Sequence, residues 1–203
     1  MKKFVILIPI YNDWKSASQL LKNIDFQTSK WDAEVSVLII NDASTEKNTL
    51  NNLIFKKIKS VRIVNMKLNR GHARCNAAGL KYLSEKEDFD YVILMDGDGE
   101  DRPEELTALF EKSNENPSVS VTANRIKRSE GPLFRLLYEC HKILTYIFTG
   151  KLIKFGNYSF LPKKDATKLV TDASIWSSFS GAVTKMIMDR DSVPSIRGQR
   201  YFG

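Results

Sequence analysis

What most restricts the fold of this chain is a set of short strand-like runs, several ending in a polar cluster and most separated by an amphipathic stretch. Phe4–Ile8, Val35–Ile40, Val61–Met66 and Tyr91–Met95 are the first four runs, with Val119–Ala123 as a fifth. Each is the length of one strand and too short for a buried helix. Between the first two, Trp14–Phe26 carries Trp14, Ala17, Leu20, Leu21 and Ile24 at helical spacing. Leu50–Ile58, Ala73–Leu83 and Pro103–Lys112 are the later helix candidates. Alternation of this kind predicts βαβ units around a parallel sheet, an α/β fold. Right-handed crossovers then bring the C-terminal ends of all the parallel strands to one edge. The clusters Tyr11-Asn12-Asp13, Asp42-Ala43-Ser44 and Asp96–Asp101 should therefore meet at a single crevice.

The last of these clusters is chemically the most pointed. Tyr91-Val92-Ile93-Leu94-Met95 runs directly into Asp96, Asp98, Glu100 and Asp101, spaced by Gly97 and Gly99. In extended backbone, residues two apart share a side, so Asp96, Asp98 and Glu100 could converge on one point. Crowded carboxylates repel unless a cation neutralises them, and hard oxygen ligands suit Mg²⁺ or Mn²⁺ alongside substrate phosphates. Arg102-Pro103-Glu104-Glu105 suits the first turn of a helix. Each polar residue also has an ordinary structural explanation. Asp13 could cap its helix, Asp42 with Ser44 could form an Asx-turn, and Asn69-Arg70-Gly71 could be a simple turn into a helix. His72, with no second histidine nearby, is more often structural than catalytic.

Composition narrows the partners. At 203 residues the chain suffices for one domain with a real core. No window approaches the roughly 18 apolar residues of a membrane-spanning helix. The opening Met1-Lys2-Lys3 leads into a short apolar run with no cleavage-site pattern, so it reads as a first strand and not a signal peptide. Cys75 and Cys140 are too few for a disulfide framework and fit a reducing cytosol. Residues 1–124 hold 17 Lys/Arg against 18 Asp/Glu, whereas residues 125–203 hold 14 against 6. The basic half could face an anionic membrane or a phosphorylated substrate. No zinc-finger spacing or arginine-rich helix points to nucleic acid.

Taken together, these segments resemble the family 2 inverting glycosyltransferases with the GT-A fold, over essentially the whole chain. I-L-I-P-I-Y-N-D corresponds to the family's P-x-Y-N-E, I-I-N-D-A-S to V-D-D-G-S, and N-R-G-H-A-R-C-N-A-A-G-L to its N-x-G segment. M-D-G-D-G-E-D-R-P-E corresponds to D-x-D-x-Q-D-x-P-E. The likeness is greatest to the branch of dolichyl- and undecaprenyl-phosphate sugar transferases, membrane-associated enzymes of cell-envelope biosynthesis.

The resemblance implies a single GT-A catalytic domain over 1–203, with a central, mostly parallel, Rossmann-like sheet flanked by helices. Residues 1–124 would be the nucleotide-sugar and metal half, and 125–203 the acceptor half. It implies that Pro9, Tyr11, Asp13, Asp42, Asn69, Gly71 and Asp96 contact the nucleotide sugar. Asp96 and Asp98 would bind the ribose edge and the metal, with Glu100 where the family often has a metal-binding Gln. Arg125 and Arg128 would meet acceptor phosphate, and Arg197 and Arg200 would begin a basic loop that in relatives closes over the diphosphate. Asp101 is a candidate base if the acceptor is a hydroxyl. Two departures are Asp13 for the commoner Glu and Asn41 for Asp, both retaining polar capacity.

Residues 131–150 are framed by Gly-Pro and Gly, and the expected helix over 132–149 has a broad apolar surface flanked by Arg135 and Lys142. Either a membrane interface or the sheet could receive it. Phe155–Phe160 resembles a returning strand under the acceptor site, and Ser174–Met188 reads as a further helix with Trp176 walling the acceptor pocket or packing in the core. In relatives the chain continues beyond the basic loop, often into membrane helices. Ending at Gly203, the sequence reads as a trimmed catalytic domain or a natural short form, and as cytoplasmic, either free or peripheral on the membrane's inner face. Two rival readings are a non-catalytic sugar-nucleotide-binding module and an aspartyl phosphatase using Asp96-Gly97-Asp98-Gly99. The phosphatase reading leaves Tyr11 and Asp42 without work. The acceptor would be a polyprenyl phosphate or a glycan; no pattern identifies the donor sugar, the base or the oligomeric state.

Overall fold

The computed structural model describes residues 1–127 and 155–202. Strands β1 (Lys2–Ile10), β2 (Ala33–Asn41), β3 (Ile58–Asn65), β4 (Tyr91–Leu94), β5 (Ser120–Lys127), β6 (Phe155–Pro162) and β7 (Arg190–Ile196) form one sheet. Their order is β3-β2-β1-β4-β6-β5-β7. The β1, β2, β3 and β4 pairings are parallel, β6 runs antiparallel to both its neighbours, and β7 is parallel to β5. The chain leaves β1 toward β2 on one side and returns to β4 on the other, so a topological switch point lies between β1 and β4. That is where open α/β sheets bind ligands.

Alternation along β1 explains why its apolar run is unbroken. Phe4, Ile6, Ile8 and Ile10 pack with Trp14, Leu20, Leu21 and Ile24 of α1 (Trp14–Gln27), and with Leu106 and Leu109 of α3 (Leu106–Glu115). Val5 and Leu7 face the other way, into a core with Cys75, Leu80 and Leu83 of α2 (His72–Lys86). Leu169 of α4 (Lys163–Leu169) and Phe179 and Val183 of α5 (Phe179–Met186) complete that layer. A strand covered on both faces has no position for a polar side chain until it leaves the sheet.

Several local expectations are corrected. Leu50–Ile58 is not a helix: only Leu50–Asn52 makes a 3₁₀ turn, and the chain then extends into β3. Pro103–Glu105 is a 3₁₀ turn that hands over to α3. The expected helix over 174–188 divides in two. Ala173–Trp176 is a 3₁₀ turn, and Ser178 starts α5 anew by accepting a bond from the Gly181 N–H. Arg190–Ile196 is an edge strand that its Pro and charges disguised. The carboxylate stretch is a turn and not extended backbone, with Gly99 at φ 91°. The expected interfacial helix over 132–149 and Arg128 lie outside the described residues. Among those described, no helix is long and apolar enough to cross a membrane.

Candidate functional site

The ends of β1 and β2 are fastened to each other before either offers anything to a ligand. Asn12, with φ 51°, donates its N–H to Ser44 Oγ at 2.9 Å, and its side-chain oxygen accepts the Thr45 and Glu46 N–H groups at 2.8 and 3.1 Å. Trp14 Nε1 donates to the Glu46 carbonyl at 3.1 Å. Asn41 Oδ1 accepts the Ser44 N–H at 3.0 Å, so the turn expected of Asp42 is made by its neighbour. Asp42 is 4% exposed, and its two oxygens accept the N–H groups of Arg70 and Gly71 at 2.7 and 2.8 Å. This bidentate acceptor fixes the turn that launches α2. Asp13 caps α1 by accepting the Ser16 N–H at 3.2 Å.

Above these loops lies a cavity of about 480 Å³, lined by Pro9, Tyr11, Asp13, His72, Asp96, Asp98, Glu100, Asn157, Arg197 and Arg200, among others. Most of the residues singled out in the sequence thus meet in one place. Asp42, Asn69 and Gly71 are not among the residues that line the cavity. Tyr11 presents an exposed ring at the rim (49% exposed).

Each carboxylate of the acidic loop has a different partner. Asp96 Oδ1 lies 2.9 Å from His72 Nε2 and accepts from the Asn157 amide at 3.3 Å. Asp98 Oδ2 accepts from Arg200 Nε at 2.9 Å. Glu100 accepts from Arg197, with Nε at 2.7 Å. Among the described residues, no three His, Cys, Asp or Glu side chains are grouped as a ready-made metal site. Two cavity-lining carboxylates nevertheless match what Mg²⁺ and Mn²⁺ usually take from protein, the remaining ligands being water and substrate phosphate. The donor set therefore fits such an ion.

Burial pushes the Asp96 carboxyl up, but the bond and charge of His72 outweigh it and leave the group below its ordinary value. Burial alone would depress His72; Asp96 reverses that, aided by Asp101 and Asp98, and His72 is raised. Asp101 is different. It is 3% exposed, accepts the Asp96 N–H at 2.9 Å, and has Arg125 at 3.5 Å. Burial and the Asp96 charge push it up to about 7. It does not line the cavity, and neither does Arg125, which lies beside it.

His72 and Asn157 are the residues that reading the sequence missed. His72 follows a loop whose importance was legible, but its partner is twenty-four residues away in sequence. Asn157 arrives on the reversed strand β6, and no local pattern marks it. Arg197 and Arg200 are brought in by the segment after β7, where Gly198 N donates to the Glu100 carbonyl at 2.8 Å and Tyr201 N to the Asp98 carbonyl at 2.9 Å.

The family model for glycosyl transferase family 2 matches residues 5–174. Among curated proteins, the chain is 27% identical over 127 residues to an undecaprenyl-phosphate 4-deoxy-4-formamido-L-arabinose transferase of Klebsiella pneumoniae (strain 342). That match covers 62% of this chain and 38% of the relative. Among solved structures, the mannosyltransferase PcManGT of Pyrobaculum calidifontis, in complex with GDP-Man and Mn²⁺, superposes with a TM-score of 0.58 at 18% identity. It covers 95% of this chain and 54% of that one. S. aureus TarS (1-349) in complex with UDP-GlcNAc gives 0.53 at 16% identity, covering 98% and 60%. These likenesses identify the fold as GT-A. The chain spans well under half the length of the Klebsiella relative and over half that of the two structures.

Proposed function

Because the chain belongs to glycosyl transferase family 2, we propose that it moves a sugar from a nucleotide diphosphate sugar to a polyprenyl phosphate or cell-envelope glycan, with inversion at the anomeric carbon. The observation that carries this reading is the cavity itself. One space of about 480 Å³ gathers an exposed aromatic ring, three carboxylates from a single turn, and two guanidinium groups. A nucleoside diphosphate needs those parts: a face for the base, and charge control for the phosphates.

Tyr11 offers its ring to the base, beside Pro9 and Asp13. Asp96 and Asp98 would hold a Mg²⁺ or Mn²⁺ ion, with Glu100 adjacent, and that ion would offset charge developing on the leaving diphosphate. His72 and Asn157 hold the Asp96 carboxylate toward the cavity and keep it ionised. Arg197 and Arg200 bring positive charge to the same place. All four cavity carboxylates already have a donor: Asp13 the Ser16 N–H, Asp96 His72 and Asn157, Asp98 Arg200, Glu100 Arg197. Asp101 has the pKa of a general base but lies off the cavity wall, and geometry is the first requirement of that role. A phosphate acceptor, already an anion, needs no base, which favours the lipid-phosphate alternative. The name of the Klebsiella relative points to the same acceptor class.

A thermal-shift series tests the donor side. UDP, GDP, CDP and dTDP are each added with Mn²⁺ and with EDTA, since a ligand of the folded state raises its stability by RT ln(1 + [L]/Kd). One diphosphate should shift the transition far more with Mn²⁺ than with EDTA. No shift with any of the four would refute the reading. Binding without turnover against either a polyprenyl phosphate or a glycan acceptor would instead identify a sugar-nucleotide-binding module.

A further inference from the structure

The segment Arg197–Tyr201 is fitted to the acidic loop more closely than two ion pairs require. Gly198 lies so near that a Cβ there would sit 2.7 Å from the Gly99 carbonyl oxygen. The Tyr201 ring covers Gly99, leaving no room for a side chain, and its hydroxyl accepts from Asn23 Nδ2 of α1 at 2.8 Å. Further back, Glu105 accepts from Ser195 Oγ at 2.7 Å and from the Ile196 N–H at 2.8 Å. Backbone bonds, ring contact and the Glu105 anchor hold the segment in place independently of its arginines. Meanwhile Arg200 lies 2.9 Å from Asp98 and 4.0 Å from Glu100, and Arg197 pairs with Glu100.

We propose that Arg197 and Arg200 are built-in counter-cations of the acidic loop, competing with the divalent ion for Asp98 and Glu100, and that the docked backbone lets them exchange in place. When the ion takes the carboxylates, the guanidinium groups are released while still tethered beside the cavity, and become available to a diphosphate. The inference rests on the reading that Asp96 and Asp98 receive a divalent cation. Without the ion the loop is not a bare acidic cluster: like charges that would otherwise repel are paired with Arg197 and Arg200. Metal and diphosphate binding are thereby coupled through the same two side chains, because what the ion displaces is what the diphosphate needs.

The test measures two ligands separately on the whole chain, with neither sugar nor acceptor present. Mn²⁺ affinity is read by electron paramagnetic resonance, and pyrophosphate affinity, at saturating Mn²⁺, by titration calorimetry. Arg200→Gln should tighten Mn²⁺ by about two- to fivefold, and Arg197→Gln with Arg200→Gln by about five- to twenty-five-fold, as expected for removing partly exposed ion-pair competitors. The same variants should weaken pyrophosphate. Opposite signs for the two ligands are the signature, since structural damage would weaken both. Arg200→Lys, which keeps charge but not the planar fork, should fall between. If wild type binds Mn²⁺ and the variants bind it equally or more weakly, the competition is refuted while the metal assignment stands. If neither wild type nor the double variant binds Mn²⁺, both fall.

Discussion

Gly99 is the position at which the two halves of the site are most sharply tested. Replacing it with alanine meets two separate obstacles. The backbone there has φ 91°, where an L side chain is strained by about 1–2 kcal/mol. The new Cβ would also lie 2.6, 2.7 and 2.8 Å from three carbons of the Tyr201 ring, closer than such atoms approach. The ring must move, and its bond with Asn23 is the first loss, worth about 1 kcal/mol. Gly99→Ala should therefore cost about 2–3 kcal/mol, read from urea unfolding followed by circular dichroism. In a Tyr201→Ala background only the backbone strain remains, so the same change should cost about 1–2 kcal/mol. The difference, about 1 kcal/mol, is the coupling that a double-mutant cycle isolates. An equal cost in both backgrounds would show that the ring is not what excludes a side chain, and would remove the main support for a docked segment.

Other outcomes follow from the same geometry. Ala43 sits at φ 58°, where the resembling family has glycine, and Ala43→Gly should stabilise the protein by about 1 kcal/mol after the extra freedom of the unfolded chain is deducted. A thermal scan should show the midpoint rising by about 2–4 °C. Asp42→Ala leaves the Arg70 and Gly71 N–H groups without their acceptor and should cost about 1–2 kcal/mol, with faster amide exchange at those two residues; Asp42→Asn should lose about half as much. Asp101, raised from 3.8 to about 7, makes the folded protein retain a proton that the unfolded chain has lost between those values. Stability in EDTA should accordingly fall as pH rises from about 4 to 7. Asp101→Asn should flatten that slope, and an unchanged slope would contradict the shift. Asp96→Asn should lower turnover on the order of 100-fold or more with little change in unfolding midpoint; retention of most activity would sink the metal assignment.

How much of this could be read beforehand depended on whether the signal was local. The runs that became β1, β2 and β4 announced themselves because both faces are buried, and strand ends with polar residues told where the crevice would be. The edge strand β7 did not, since Arg190-Asp191-Ser192-Val193-Pro194 satisfies only one face and carries a proline. Ser177-Ser178 hid the restart of a helix inside what looked like one periodic stretch. The acidic loop is legible in the sequence, but its residues turn where extended backbone is expected, and Asp96, Asp98 and Glu100 each reach the cavity with a cationic or amide partner of their own. Those partners, His72, Asn157, Arg197 and Arg200, come from 24 to 102 residues away, and no window of sequence displays them together.

The sheet order also dictates the sequence of events by which the site is built. Among the described strands, β5 is hydrogen-bonded to β6 and β7, both of which are made later, and β6 connects that pair to β4. During synthesis β1 to β4 can associate as soon as they emerge. β5 must wait, unpaired, for at least the thirty-odd residues up to Pro162, and the loop closures involved are long ones that fold slowly. The acidic turn therefore exists before its guanidinium partners do. For that interval Asp96 has His72 beside it, but Asp98 and Glu100 stand without their guanidinium partners, open to a divalent ion from the surroundings.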